Sequence, residues 1–478
     1  MWRKTLRYAI LLDFGSTYTK IVCVDLSEKR VVLTDKFPST VHTDAGISLQ
    51  QCFEAAKCVI GDDDFGSALK LSTSSAAGGL RIAVSGLTKS LSIEAGRNAS
   101  FGAGGKIVYT ASGLISEKDL QGIEGSQAEI LLLCGGYEGG NSKAVLHNAE
   151  VLADSSLNIP IIYAGNSRVA KDVRMLFAGR GRECFMAENI IPDVGVLNIE
   201  PTVAIMRDLF MNRITNMKGV GKVKKLLDGP IIPTPAAVLA AGQLLCDGTA
   251  EESGIGPYMM ADIGGATTDI YSFIENRSYE GAKQVGSPEP FAKRTVEGDM
   301  GMRESSVCLV KEVGEENFAE KCCITKEHLR DAIENRITDR KYIAEIETEK
   351  EIDLQIACSA VEISARRHAG YAVKEFHDGC RLVQHGKNLT EIKTVIGTGG
   401  ILVNNLQAAP RILQNVRARP SKAETVLLPS DVKTFVDEDY VFFAAGLLSD
   451  YDQEAALAIM KNSIGTGEKN GYQNQQTI

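Results

Sequence analysis

The chain has 478 residues, 44% hydrophobic and 24% charged, with a mean hydropathy of −0.05, which excludes both a single small module and a disordered polymer. Its 52 basic against 61 acidic residues leave a net charge of −9, so no overall positive field exists to hold nucleic acid. Neither C-x-x-C, H-x-x-x-H nor H-E-x-x-H occurs among its eleven cysteines and six histidines, which argues against a protein-ligated transition metal and reads the thiols as reduced and mostly buried.

The first apolar run, Tyr8 to Leu12, is stopped by Asp13, too short for a signal peptide, and no later stretch reaches membrane-spanning length. The expectation is a cytoplasmic protein without a membrane partner. Tyr8–Leu12, Ile21–Val24 and Val31–Leu33 read as a strand meander around a polar turn. From about residue 80 to 185, strands at Leu80–Val84, Lys106–Tyr109, Glu129–Cys134 and Ile159–Tyr163 alternate with helices such as Ser142–Ala153 and Ser167–Ala178, the pattern of an inserted parallel α/β unit. Helices follow Pro201 and Pro235. Tyr258–Ala261, a glycine turn and Ile270–Ile274 then repeat the opening arrangement. A long helix is expected over about Ile352–His377, a strand, glycine cluster and helix over 393–410, and a last helix over Tyr440–Ser449, with a frayed tail after Ser463.

The strongest motif is an internal echo. Asp13-Phe-Gly15-Ser16-Thr17-Tyr-Thr19-Lys20 and Asp262-Ile-Gly264-Gly265-Ala266-Thr267-Thr268-Asp269 each follow an apolar strand and precede another. Such a hairpin turn offers backbone N–H groups with no side chains in the way, a concavity suited to phosphate oxygens. An aspartate at the strand end supplies a hard oxygen for magnesium, directly or through water. Two such hairpins would grip one polyphosphate from both sides. Either D-x-G alone would merely mark a tight turn; the matching context of the two favours phosphate binding. No G-x-x-x-x-G-K-[ST] occurs, and Gly219-Val-Gly221-Lys222 runs into Val223 in the wrong context. A third element, Gly397-Thr398-Gly399-Gly400 after a strand, offers bare backbone on which a flat base or ribose could lie. Small-residue helices at Ala236–Gly242 and Ala444–Gly446 could meet closely and form a hinge, or simply pack.

Taken in order, the Asp13 motif, the Pro-Ala-Ala helix, the Asp262 motif, Gly397–Gly400 and Ala444-Ala-Gly446 resemble the actin, Hsp70 and sugar-kinase superfamily. The resemblance covers residues 8 to 450 apart from the insert. It implies an α/β fold of duplicated actin-like ATPase (ribonuclease H-like) lobes: 1–245 with the first phosphate loop and the insert, 246–438 with the second phosphate loop and adenosine loop, and 439–462 returning to the first lobe. The first connecting helix would be 233–245 in preference to 198–209. Ser74-Ser-Ala-Ala-Gly-Gly-Leu-Arg81 and Glu297-Gly-Asp299-Met-Gly-Met-Arg303 narrow the resemblance to the MutL accessory family of glutamate mutase, which shares only its name with the mismatch-repair protein.

The resemblance implies ATP or ADP and Mg²⁺ as cofactors, with no protein-bound cobalamin, and an adenosylcobalamin-dependent mutase subunit as partner. Asp13 and Asp262 would hold hydrated magnesium. The amides of Gly15–Thr17 and Gly264–Thr267 would bind phosphates, Lys20 would neutralise charge and Asp269 would orient the attacking water. Gly397–Gly400 would hold the nucleoside; Glu297 and Arg303 would reach it or form a helix-cap network, with Asp299 beside them. Three function classes stay open: an ATP-hydrolysing switch acting on a partner protein, a small-molecule kinase of the same fold, and a nucleotide-binding scaffold without turnover. The insert, which carries no nucleotide motif, favours the first.

Overall fold

The computed structural model of the protein describes residues 6–15, 18–40, 44–75, 80–215, 225–339, 342–375, 381–419 and 424–465. Ser16 and Thr17, residues 76–79 of the Ser74–Arg81 motif, Gly219–Lys222 and the tail lie outside them. The chain divides into two compact units. The first runs to Leu244 and adds Val285–Lys293 and Phe442–Ile459; the second comprises Leu245–Gln284, Arg294–Val441 and the chain from Met460.

In the first unit, β1 (Tyr8–Phe14), β2 (Tyr18–Asp25) and β3 (Arg30–Pro38) form an antiparallel meander, and β4 (Leu69–Ser74) lies parallel to β1. β1 is buried from Ala9 to Phe14, as a central strand covered on both faces must be. β3, at the sheet edge, carries exposed Asp35 and Lys36, charges that discourage edge-to-edge pairing. The helix Ala45–Ile60 starts where the Asp44 side chain accepts from the Gly46 amide, and it buries Leu49, Cys52, Phe53 and Ala56 on one face.

The insert holds a five-stranded parallel sheet: β5 (Arg81–Gly86), β6 (Lys106–Ser112), β7 (Ile130–Gly135), β8 (Ile161–Gly165) and β9 (Cys184–Met186), in the order β6-β5-β7-β8-β9. Ile82, Val84, Leu132 and Ile162 share one core with Ile10 and Leu12 of the opening meander. Ala83, Leu131, Leu133 and Tyr163 pack on the other side against Val145, Leu152, Val173 and Phe177 of the helices Ser142–Asp154 and Ala170–Gly179. One face of the insert is therefore built into the first unit's core, and the insert is not free-standing. β10 (Ile231–Pro233) closes the opening sheet, whose order is β10-β4-β1-β2-β3.

The second unit repeats that plan. β11 (Tyr258–Ile263) and β12 (Thr268–Phe273) form an antiparallel hairpin. After β13 (Lys283–Val285), β14 (Ala292–Glu297) flanks β12. β15 (Tyr371–Glu375) and β16 (Arg381–His385) pair with each other; β17 (Thr394–Thr398) lies parallel to β11. After β18 (Thr425–Val426), β19 (Lys433–Asp437) lies parallel to β17, and β20 (Ile464–Gly465) ends the sheet. Its order is β14-β12-β11-β17-β19-β20, beside a smaller sheet β13-β16-β15-β18. The long helix spans Glu347–His368 and stops nine residues short of the His377 end read from the sequence, because Gly370 turns the chain into β15. A Cβ there would stand 2.3 Å from the His385 carbonyl oxygen. A further helix, Gln453–Ser463, follows the Phe442–Leu448 helix. Among the described residues no helix is long and apolar enough to cross a membrane. Of the ten described cysteines, Cys23, Cys52, Cys134, Cys246, Cys322 and Cys358 are buried.

Candidate functional site

Each unit brings its echo motif to the end of its central strand. In the first, Asp13 is the penultimate residue of β1 and stands opposite Lys20 across the hairpin and Thr73 on β4. Its carboxylate is 2% exposed. Oδ1 accepts from the Thr234 hydroxyl at 2.7 Å and the Thr73 hydroxyl at 3.1 Å, and Oδ2 lies 3.9 Å from Lys20 Nζ. The turn is tight: the Gly15 amide donates to the Tyr18 carbonyl at 3.0 Å, and a Cβ on Gly15 would sit 2.6 Å from that oxygen. Ser39 Oγ donates to the Gly15 carbonyl at 2.6 Å.

The second hairpin has the same register. Asp262 is penultimate in β11, opposite Asp269 on β12 and Thr398 on β17. Gly264 N–H donates to the Thr267 carbonyl at 2.9 Å. The turn's carbonyls are taken from behind: Gly264 O accepts from the Met302 amide, Gly265 O from the Arg303 and Glu304 amides, and Ala266 O from Ser305 Oγ. Gly301 approaches so closely that a Cβ would lie 2.3 Å from the Ala266 carbonyl carbon. The amides of Gly265, Ala266 and Thr267 donate to no acceptor among the described residues. Three successive N–H groups left over in a turn make an anion-receptive concavity.

Asp269 is buried, and its Oδ2 accepts from Arg294 Nη2 at 2.7 Å and Nε at 3.1 Å, while Oδ1 has no hydrogen-bond partner among the described residues. Burial opposes the Arg294 charge, but Asp269 and Tyr271 beside it outweigh burial and raise its pKa. The sequence gives no sign of this partner, 25 residues away on β14.

The Gly397–Gly400 segment divides in two. A Cβ on Gly397 would meet Leu402 at 2.5 Å and Leu413 at 2.9 Å, and Thr398 is 3% exposed with its hydroxyl 3.3 Å from Asp437 Oδ2. Both face the protein. Gly399 has φ +100°, and a Cβ would strike the Ile263 carbonyl oxygen at 2.4 Å, with Asp262 Oδ1 at 3.0 Å. Glycine is required there so that the loop can lie against the end of β11. Gly400 is exposed at the start of the short helix Gly400–Val403.

Glu297 ends β14 and takes no part in a helix cap. Arg367 pairs with Glu297 at 2.8 Å and with Asp299 at 2.9 Å, and these carboxylates raise the arginine's pKa against the effect of its burial. Arg303 is held by both oxygens of Asp353, each at 3.1 Å, and by the Tyr342 carbonyl. Asp353 Oδ1 also accepts from fully buried Arg336 at 2.8 Å, and Arg336 reaches Glu349 at 2.7 Å. Arg303 thus stands behind the second turn as part of an ion-pair brace, its backbone bonded to Gly265 and its head anchored in the core.

The two small-residue helices of the first unit do meet. A Cβ on Gly446 would lie 1.9 Å from the Ala237 carbonyl oxygen, so the helices Phe442–Leu448 and Thr234–Asp247 cross backbone on backbone. The helix Glu200–Thr215 packs instead on the helix Glu94–Gly102 and β10.

A central hairpin flanked on one side by a third strand and on the other by two parallel strands, occurring twice, defines an α/β protein of duplicated ribonuclease H-like lobes, the actin-like ATPase fold. The MutL protein family model matches residues 9–464. Protein MutL of Clostridium tetanomorphum is 35% identical over 457 residues, covering 95% of this chain and 98% of its own. The chain belongs to the MutL family. Among solved structures, the ethanolamine utilization protein EutJ from Carboxydothermus hydrogenoformans is 11% identical, with a TM-score of 0.29 over 94% of this chain and 89% of its own. Xylulose kinase from Bifidobacterium adolescentis is 10% identical, with a TM-score of 0.30 over 94% and 92%. The fold rests on this chain's own strand order.

Proposed function

We propose that this chain binds and hydrolyses ATP as an accessory protein that reactivates or assembles an adenosylcobalamin-dependent mutase such as glutamate mutase. The observation that carries the nucleotide reading is the paired register: Asp13 and Asp262 stand at the same place in the same hairpin of two equivalent sheets. The mutase reading rests on membership of the MutL family.

The donor set suits magnesium held mainly by phosphate and water. Each hairpin offers one strand-end aspartate, and no group of three or more acidic, histidine or cysteine side chains that could hold a metal occurs among the described residues. Mg²⁺ keeps several waters and takes one or two carboxylates alongside phosphates, which matches Asp13 and Asp262. When bound, the ion offsets phosphate charge. The amides of Gly265, Ala266 and Thr267, with those of Ser16 and Thr17, receive phosphate oxygens, while the Gly15 and Gly264 amides, expected to join them, are instead spent closing their own turns; Lys20 adds positive charge. Asp269 turns Oδ1 to the attacking water while Arg294 fixes Oδ2. Gly399 and Gly400 bound the nucleoside, with Gly397 and Thr398 supporting them from within; Arg303 braces the second phosphate turn from behind through Asp353, and Glu297 is held by Arg367.

The test is magnesium-dependent ATP hydrolysis by wild type, Asp13→Ala and Asp262→Ala, each checked for folding. Hydrolysis lost in both folded variants is expected; wild-type rates would overturn the assignment. Inactivated glutamate mutase is then mixed with the protein, with and without ATP and magnesium. Restored mutase activity requiring ATP is expected, and hydrolysis without restoration would overturn the partner assignment alone.

A further inference from the structure

The insert carries a feature that the nucleotide reading does not use. Numbered within the insert, its parallel strands run 2-1-3-4-5 across the sheet, β6-β5-β7-β8-β9. In such a sheet the connections after strands 1 and 3 leave in opposite directions, and the crevice between their carboxyl ends is where ligands bind. That position lies between the ends of β5 and β7. A cavity of about 690 Å³ opens there, lined by Leu87 beyond β5, Leu114 beyond β6, and Lys143, Ala144 and His147 on the helix after β7. Its exposed wall is mostly apolar, Thr88 and Asn141 add uncharged polar groups, its charged group is Lys143, and no carboxylate lines it.

Asn148, fully buried, accepts from the Ile115 amide at 2.9 Å and donates to the Gly113 carbonyl at 2.9 Å, fixing the loop after β6 to the helix Ser142–Asp154. Gly113 has φ +88° with open space where a Cβ would be, so the loop leaves the mouth clear. Ser85, at the end of β5, is fully buried and its hydroxyl has no hydrogen-bond partner among the described residues. Two residues on from Ala83, it faces the side of the sheet that this helix covers.

We propose that the insert binds a small anionic molecule with an apolar body in this switch-point crevice, its acid group at Lys143 and His147 and its body against Leu87 and Leu114. The site belongs to the first unit's insert and is independent of the two phosphate hairpins. The full-length chain, with its hairpins saturated by ATP and magnesium, is titrated with the fluorescent probe anilinonaphthalene sulfonate. Saturable binding is expected, weakened about tenfold by Lys143→Glu and by Leu114→Asp, both surface changes that leave ATP affinity unaltered. Displacement of the probe by phenyl phosphate identifies a phosphate ligand and displacement by benzoate a carboxylate; either upholds the site. Identical titrations in wild type and both variants, or displacement by neither anion, overturns it.

Discussion

The two hairpins have one backbone plan and two schemes of wiring. Across the first, Asp13 faces Lys20, and opposite charges meet within the hairpin itself. Across the second, Asp262 faces Asp269, two carboxylates at the same register, and the balancing cation comes from Arg294 on the next strand. The adjoining threonines diverge too: Thr73 donates to Asp13, whereas Thr398 turns to Asp437. Among the described residues the turns are backed differently, by the Ser39 hydroxyl behind Gly15 and by the whole 301–305 segment behind Gly264–Ala266. Duplication conserves where the chain goes; it leaves each copy to settle its charges with whatever neighbours it has.

The sharpest way to break this contrast is to remove the two cations. Arg294→Leu strands a buried carboxylate and should cost about 3–5 kcal/mol, whereas Lys20→Leu, at a partly exposed pair, should cost about 1 kcal/mol; urea unfolding of both variants reads the difference. If Asp269 is replaced as well, the Arg294→Leu/Asp269→Leu protein should recover most of the loss, because the stranded charge is gone. Equal costs for Arg294→Leu and Lys20→Leu would erase the distinction.

Gly301→Ala tests the heavier backing of the second turn. Its Cβ would be driven into the Ala266 backbone, costing about 1–3 kcal/mol and weakening ATP binding measured by calorimetry. Unchanged stability and affinity would show that the turn does not depend on the segment behind it.

Next comes the brace anchored by Arg336. Burial alone would raise the Glu349 pKa, but hydrogen bonds from Arg336 and His328 outweigh it and hold the carboxyl below its ordinary value. The unfolded chain then takes up a proton at higher pH than the folded one. Stability from Glu349 is present above the unfolded value of about 4.3 and is lost as pH falls through the lower folded value. Glu349→Gln should therefore be less stable than wild type by about 1–2 kcal/mol at pH 7, with the gap closing toward pH ~3. A gap that is constant with pH would remove the carboxylate from the brace. The smallest effect concerns the threonines: Thr73→Val should cost about 1 kcal/mol and Thr398→Val about half that, given its longer bond. The reverse order would deny that Asp13 depends on its hydroxyl neighbours.

Much of this plan was legible because it is local. Asp, Gly and Thr at fixed offsets after an apolar strand reveal both hairpins, and the alternation of β-rich and helical stretches reveals the insert. The helix Ala45–Ile60 is also readable, in Asp44 as cap and Leu49, Cys52, Phe53 and Ala56 at helical spacing. The stop at Gly370 was likewise present as a glycine after Arg366-Arg367-His368. What no local pattern could supply was pairing at a distance. Thr234 reaches Asp13 from 221 residues away, and Asp353 holds Arg303 from 50. The sequence also assigned the glycine at 399 to space for a nucleoside, while its nearest neighbour is the β11 backbone.

The buried cysteines give the molecule a built-in pair of clocks. Burial pushes Cys23 and Cys52 up to about 12 in the first unit and Cys322 up to about 12 in the second. A thiol reagent attacks the thiolate, so at neutral pH each of these side chains stays silent until the structure around it opens. Because they are spread through both units, the order in which peptides become alkylated would time the opening of each half separately, without a dye or an engineered label. Exposed Cys58, Cys308 and Cys323 would react at once and mark the zero of both clocks.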